Sequence, residues 1–234
     1  MRMKAVLVFV ASLAFASAPF WSGEFGGFDP NQYPVPQVEP PAQPAGYAFS
    51  IWGLIYLWLL VSSYFGLFRR AEDPDWDAPR WPLFVSLAIG TSWLSVAQTS
   101  PIWATVLIWI MLGGAVLAFL RTPGRDRVWL AAPLGLYAGW LTAASAVSLA
   151  LTGAGYGIGP DQIAWAWIAL AVALAIGIWV QTRPGRSPAY AAALAWALVA
   201  VALQNMGNNT ALMVGAAAGA LVAILLAGRA LRRG

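Results

Sequence analysis

Apolar positions dominate this chain in runs of about twenty residues, each broken by a short polar or turn-forming stretch. The runs lie at 5–21, 47–68, 82–98, 101–120, 130–151, 163–181, 188–204 and 208–228. A helix needs roughly 17 to 25 apolar residues to cross a bilayer, so the pattern predicts eight transmembrane helices. The breaks carry turn chemistry: "EDPDWDAPRWP", "TSP", "TPGRDR", "TGAGYGIGP", "TRPGRSP" and "QNMGNN". Only 22–46 is long, and its Pro, Gly and polar content predicts an extended, irregular loop. The third and fourth runs, and the seventh and eighth, are joined so tightly that each pair must form an antiparallel hairpin. The expected fold class is all-α, a polytopic membrane helical bundle.

Composition supports this reading. The 234-residue chain is 60% hydrophobic and 9% charged, against about 25% charged residues in soluble domains. It has no cysteine and no histidine, which excludes disulfides, thiol chemistry and any His-ligated metal or haem. The net charge of +4 does not point to nucleic acid, because the basic residues are distributed as a membrane protein distributes them. Arg2 and Lys4 precede the first run, and Arg69, Arg70 and Arg80 lie between the second and third. Arg121, Arg125 and Arg127 lie between the fourth and fifth, Arg183 and Arg186 between the sixth and seventh, and Arg229, Arg232 and Arg233 after the eighth. With eight spans, all thirteen fall on one side. The positive-inside rule then predicts cytoplasmic N- and C-termini.

The first run also resembles a secretory signal, with a charged start and a small-residue end at Ala16 to Ala18. Pro19 directly after that cut, and the seven-span protein that cleavage would leave, favour its retention as a membrane helix.

Little of the chain could carry catalysis. Every Asp and Glu falls in a connection, and no charged residue sits well inside a run. Proton relays and ion-coupled pumps place ionisable groups at membrane depth, so that chemistry is disfavoured. Walker, dinucleotide-binding and zinc-protease motifs are absent, and the single lysine, Lys4, lies at the terminus. The chain is not expected to be an enzyme, and no metal site or cofactor is expected. The scattered Ser and Thr residues within the runs are the kind that bond neighbouring backbone or helices. The amides of "QNMGNN" suit a tight turn at Gly207.

The aromatic residues are harder to dismiss. Of fourteen tryptophans, those near run ends fit an interfacial belt, whereas Trp52, Trp58, Trp93, Trp109, Trp140 and Trp196 lie deeper. Helical spacing places Phe49, Trp52, Tyr56 and Ser63 on one stripe of the second helix. Tyr137, Trp140, Ala144 and Ser148 share a stripe of the fifth. Facing each other, the stripes could enclose a flat aromatic ligand. Periodicity alone, however, favours close packing of large residues over small ones.

Two motifs shift that balance. Pro40, Pro41 and Pro44, followed by Phe49, Ile51, Trp52 and Tyr56, resemble the start of the second helix in the TspO/MBR family, the translocator or tryptophan-rich sensory proteins. "YAGWLTAASAVS" resembles the family's fifth helix through Tyr137, Trp140 and Ala144, and Trp93 upstream of "TSPIW" is similar to its third. The sequence departs from the pattern at Ser148, where the family has Asn, and at Gly46, where an aromatic is usual. The resemblance covers roughly 1–152, a five-helix membrane unit with the long loop 22–46, and leaves 153–234 as three additional helices packed in the same bundle.

The resemblance implies a receptor or sensor in a bacterial-type inner membrane, with porphyrins, other tetrapyrroles or sterols as ligands. It places Phe49, Trp52, Tyr56, Trp93, Tyr137, Trp140, Ala144 and Ser148 around the ligand, with Pro40, Pro41, Pro44 and Tyr47 in a covering lid. Beyond the lipid bilayer and that ligand, it implies a homodimer. Small residues such as those of "VGAAAGALVA" suit such an interface, and suit internal packing equally. Two other readings stand beside it: a transporter or channel for a small uncharged or hydrophobic solute, and a non-catalytic subunit of a membrane complex.

Overall fold

The computed structural model describes residues 1–23, 25–183 and 185–232. Glu24, Pro184, Arg233 and Gly234 lie outside them. Eight long helices form: α1 (Arg2–Ser22), α2 (Ile51–Arg69), α3 (Arg80–Ala97), α4 (Pro101–Leu120), α5 (Ala132–Gly155), α6 (Gln162–Gln181), α7 (Ala189–Gln204) and α8 (Thr210–Arg232). A 3-10 turn over Gly46–Ser50 leads into α2, and a π turn over Arg127–Ala131 leads into α5. Six of the helices, α3 and α7 being the exceptions, are long and apolar enough to cross a membrane, two of them counted with these turns. With 18 and 16 residues, α3 and α7 rise only about 24 to 27 Å at 1.5 Å per residue. The molecule is a multi-pass helical membrane protein.

The helices close two rings. In the first, α1, α2, α5, α4 and α3 each pack on the next, and α3 returns to α1. In the second, α5, α6, α8 and α7 do the same. Helix α5 belongs to both. That position explains why 83% of its apolar window is buried, against 28–50% in the other candidate spans. It faces protein almost all round.

Small residues permit this crowding. Where α5 crosses α7, a Cβ at Gly139 would lie 2.1 Å from the Tyr190 carbonyl oxygen, and Gly135 meets the Phe119 ring and the Tyr190 backbone. Tyr190 is fully buried, stacks on Phe119 at 5.6 Å, and holds Thr142 through its hydroxyl at 2.8 Å. The turn expected at 152–162 begins only at Tyr156. Helix α5 runs on through Gly153 and Gly155 because the rings of Trp165 and Tyr33 rest against those backbones. In α8, Gly215 meets Trp167, and Gly219 meets Leu174 and Leu198. The glycines of the small-residue segment therefore pack inside the bundle.

Four basic residues, Lys4, Arg70, Arg80 and Arg125, are paired with carboxylates of the α2–α3 and α4–α5 connections. Lys4 reaches Asp77 at 2.5 Å, Arg70 reaches Asp126 at 2.8 Å, and Arg125 reaches Asp73 at 2.6 Å and Asp75 at 2.9 Å. Trp76 adds an indole N–H bond to Asp126 at 2.9 Å. Burial pushes the Asp77 carboxyl up, but the hydrogen bonds and charges of Lys4 and Arg80 outweigh it and hold the group below its usual range. The Arg70 hydrogen bond lowers Asp126 likewise, against its burial and with help from Trp76. Carboxyls lowered in the folded state stabilise it above their unfolded pKa of about 3.9, and lose that contribution as pH falls further. The unfolding temperature is therefore expected to drop below about pH 4, and to drop less in Asp126→Asn than in wild type. Equal acid sensitivity in the two proteins would contradict this assignment.

Candidate functional site

The two aromatic stripes face each other. Trp52 and Tyr56 are stacked at 5.4 Å along α2. Across the first ring, Trp140 of α5 meets Trp52 at 6.1 Å and Phe49 at 5.9 Å, both edge to face, and Tyr137 lies 6.5 Å from Trp52. Such pairs contribute about 0.5 to 1.5 kcal/mol each beyond area burial, so the wall is cohesive.

Other rings fill the space between the stripes. Phe15 of α1 lies 5.0 Å from Tyr56, 5.7 Å from Tyr137 and 5.9 Å from Trp52. Its ring sits on Gly90 of α3, where any Cβ would clash. From the loop, Phe25 contacts Trp93 at 5.0 Å and Phe49 at 5.9 Å, and Phe28 contacts Trp93 at 6.5 Å. Sequence reasoning missed all three. Phe15 was legible in part, since Ala11, Phe15 and Ala18 share a helical face, whereas Phe25 and Phe28 lie in a segment without period.

Polar atoms in the cluster are mostly satisfied within the bundle. The Tyr137 hydroxyl meets Ser86 Oγ at 2.9 Å, and Ser86 donates to the Met111 carbonyl. Trp93 donates to the Ala104 carbonyl at 2.8 Å, and Ser148 Oγ pairs with Thr105 Oγ1 at 2.7 Å. The Trp140 indole N–H differs: it is buried and has no acceptor among the described residues.

Two spaces border these residues. A lateral cleft of about 540 Å³ opens between α1 and α2 and is walled by Phe49, Trp52, Tyr56, Pro19 and Phe20. Gly46 and Gly53 line it, and a Cβ at either would meet nothing within 4 Å. Gly46, at the position where the family resemblance leads one to expect an aromatic ring, thus leaves the cleft open. The second space is a chamber of about 60 Å³ beneath the loop, bordered by Trp93, Trp140, Ala144, Ser148 and Pro44, and by alanines of α6 and α7. Phe25 and Phe49 border both spaces. Tyr137 borders neither of them.

The loop is fastened over this end of the bundle. Gln32 donates to the carbonyls of Ala97 and Gln98, and the Val35 amide to Gly155. The strongest concentration of anchors is on α7. Asn205 donates to the Pro41 carbonyl at 2.9 Å, the Ala45 amide to Ala200 at 3.2 Å, and the Trp196 indole to Ala48 at 3.0 Å. Tyr47 packs edge-on against Trp196 at 5.3 Å. Pro40 and Pro44 are buried and Pro41 is half-buried. The turn Gly46–Ser50 therefore faces the cleft with Gly46, Phe49 and Ser50, and α7 with Tyr47 and Ala48.

A multi-pass bundle with buried facing aromatic stripes beneath a proline-rich loop is the setting in which a family comparison becomes informative. The sequence model of the family described as TSPO-like protein matches residues 5–229. The chain belongs to the TSPO-like protein family. The match runs through α8, well beyond the five-helix unit to which the motifs in α2 and α5 pointed, so α6 to α8 fall within the TSPO-like pattern. Comparisons with curated proteins and with solved structures find no match. Among the described residues, no group of three or more His, Cys, Asp or Glu side chains could hold a metal ion.

Proposed function

We propose that this TSPO-like protein is a non-catalytic membrane receptor or sensor for a flat, hydrophobic aromatic ligand of the tetrapyrrole class. In this reading all eight helices cross a bacterial-type inner membrane. The basic end is cytoplasmic and loop 22–46 lies at the opposite face as a lid. The observation that carries the reading is the lateral cleft, whose volume of about 540 Å³ falls within the range of small-molecule sites, roughly 300 to 1,000 Å³. Its wall is the stacked Trp52–Tyr56 pair, a surface suited to a planar π-system. In a bilayer such an opening between α1 and α2 admits a ligand already dissolved in lipid. The receptor reading is favoured over a conduit because rings from α1, α2, α5 and the loop fill the first helix ring.

Protoporphyrin IX dimethyl ester added to the purified protein is expected to quench tryptophan emission saturably. Trp52→Phe should weaken binding by roughly two- to tenfold, the value of one lost aromatic contact. Trp103→Phe, at a side chain 62% exposed on α4, should bind as wild type. Quenching no greater than that of free indole would remove the tetrapyrrole reading.

A further inference from the structure

Among the described residues, no charged side chain lines the cleft or the chamber. Lys4, Arg70, Arg80 and Arg125 are all committed to carboxylates at the other end of the bundle. Loop 22–46 and the connections at 99–100, 152–162 and 205–207 contain no Lys or Arg. A carboxylate entering either space would shed water without meeting a cation, and so would enter only in its protonated, neutral form.

Among the described residues that line the two spaces, the fully buried donor without a partner is the Trp140 indole N–H. Trp140 is 2% exposed and borders the chamber. Two other donors at the chamber are spent, the Trp93 N–H on the Ala104 carbonyl and the Ser148 hydroxyl in its pair with Thr105, whereas the half-buried Gln43 amide borders the chamber from the loop. An unsatisfied buried donor rewards a ligand that brings an acceptor. Among the described residues, only Phe25 and Phe49 border both spaces, so displacement of their rings would join the two. The chamber, at about 60 Å³, would take a substituent while the flat body of the ligand stayed in the cleft.

We propose that the site selects an uncharged, flat apolar ligand with a carbonyl-type acceptor, which passes the Phe25–Phe49 pair and accepts a hydrogen bond from Trp140. The proposal rests on the receptor reading above and refines its ligand class: neutral tetrapyrroles and esters are taken, and carboxylate anions are refused.

The test uses full-length protein in lipid nanodiscs, with protein-free discs subtracting partition into lipid. Protoporphyrin IX dimethyl ester is expected to bind at least about tenfold more tightly than the free diacid at neutral pH. The diacid should gain affinity as pH falls through its carboxyl range, while the diester stays level. Trp140→Phe keeps a ring and removes the donor. It should weaken the diester by about two- to tenfold more than it weakens etioporphyrin, which has only alkyl substituents and so reports the loss of ring contact without the hydrogen bond. A diacid that binds as tightly as the diester at neutral pH would overturn the selectivity. Diester binding weakened by Trp140→Phe no more than etioporphyrin binding would overturn the role of the indole, placing its N–H on a neighbouring ring face. If no tetrapyrrole quenches beyond the empty discs, the receptor reading falls, and the refinement falls with it.

Discussion

Gly139→Ala is expected to destabilise the protein by about 1 to 3 kcal/mol, and Gly139→Leu to prevent recovery of a monodisperse fold. A Cβ at this position would lie 2.1 Å from the Tyr190 carbonyl oxygen and 2.9 Å from its carbon. The obstacle is backbone, which cannot swing aside as a side-chain tip can, so α5 and α7 must separate. Separation strains the Thr142–Tyr190 hydroxyl contact and the Phe119–Tyr190 stack. Because α5 is shared by both helix rings, the loss is felt across the molecule. Gly113→Ala is the matched control: it lies on an exposed face of α4, and its added Cβ would meet nothing within 4 Å. Alanine there should be neutral or slightly stabilising. Thermal unfolding followed by tryptophan emission, with size-exclusion profiles, separates the two. Equal midpoints for both alanine variants would mean that the α5–α7 crossing has slack.

Arg80→Leu is expected to cost about 3 to 5 kcal/mol, the usual penalty for removing one partner of a buried charged network. The guanidinium is only 4% exposed at the start of α3. It donates to the carbonyls of Arg70 and Ala71 at 2.8 Å and of Gly66 and Met1 at 3.3 Å, and pairs with Asp77 at 3.4 Å. Three of these carbonyls belong to the end of α2 or the turn beyond it, so Arg80 ties that end of the helix down and satisfies its orphan acceptors. Arg80→Lys should recover only part of the loss, because one ammonium cannot span a planar fork of acceptors. Faster tryptic cleavage at Arg69 and Arg70 should accompany the lower unfolding midpoint as the end of α2 frays. A lysine variant with the wild-type midpoint would show that charge alone matters there.

These two sites mark where reading the sequence stops. Arg80 was legible as one of the residues that orient the chain, but its partners come from α1, α2 and the turn between α2 and α3, and no local pattern announces them. Gly135 and Gly139 were unremarkable within an apolar run, since the residues that require them, Tyr190 and Phe119, lie on other helices. The candidate site divides in the same way. Period 3.6 placed Phe49, Trp52 and Tyr56 on one stripe and Tyr137, Trp140, Ala144 and Ser148 on another, because side-chain direction along a helix is a local property. It could not say that Phe15, Phe25 and Phe28 would occupy the space between them. Nor could it say that Tyr137 would spend its hydroxyl on Ser86, or that the larger opening would lie between α1 and α2. The family match through residue 229 likewise reaches past the motifs that α2 and α5 display.

By itself, then, the sequence determined the helices and the gathering of basic residues at alternate connections. Run length, turn residues and charge position act within one segment at a time. Only the tertiary structure decided that α5 serves two rings, that α7 holds the loop, and that the buried Trp140 indole at the chamber is left without an acceptor among the described residues. Apolar helices are near equivalents as partners in lipid, so their choice of neighbour rests on the fit of small residues against large ones over long sequence separations.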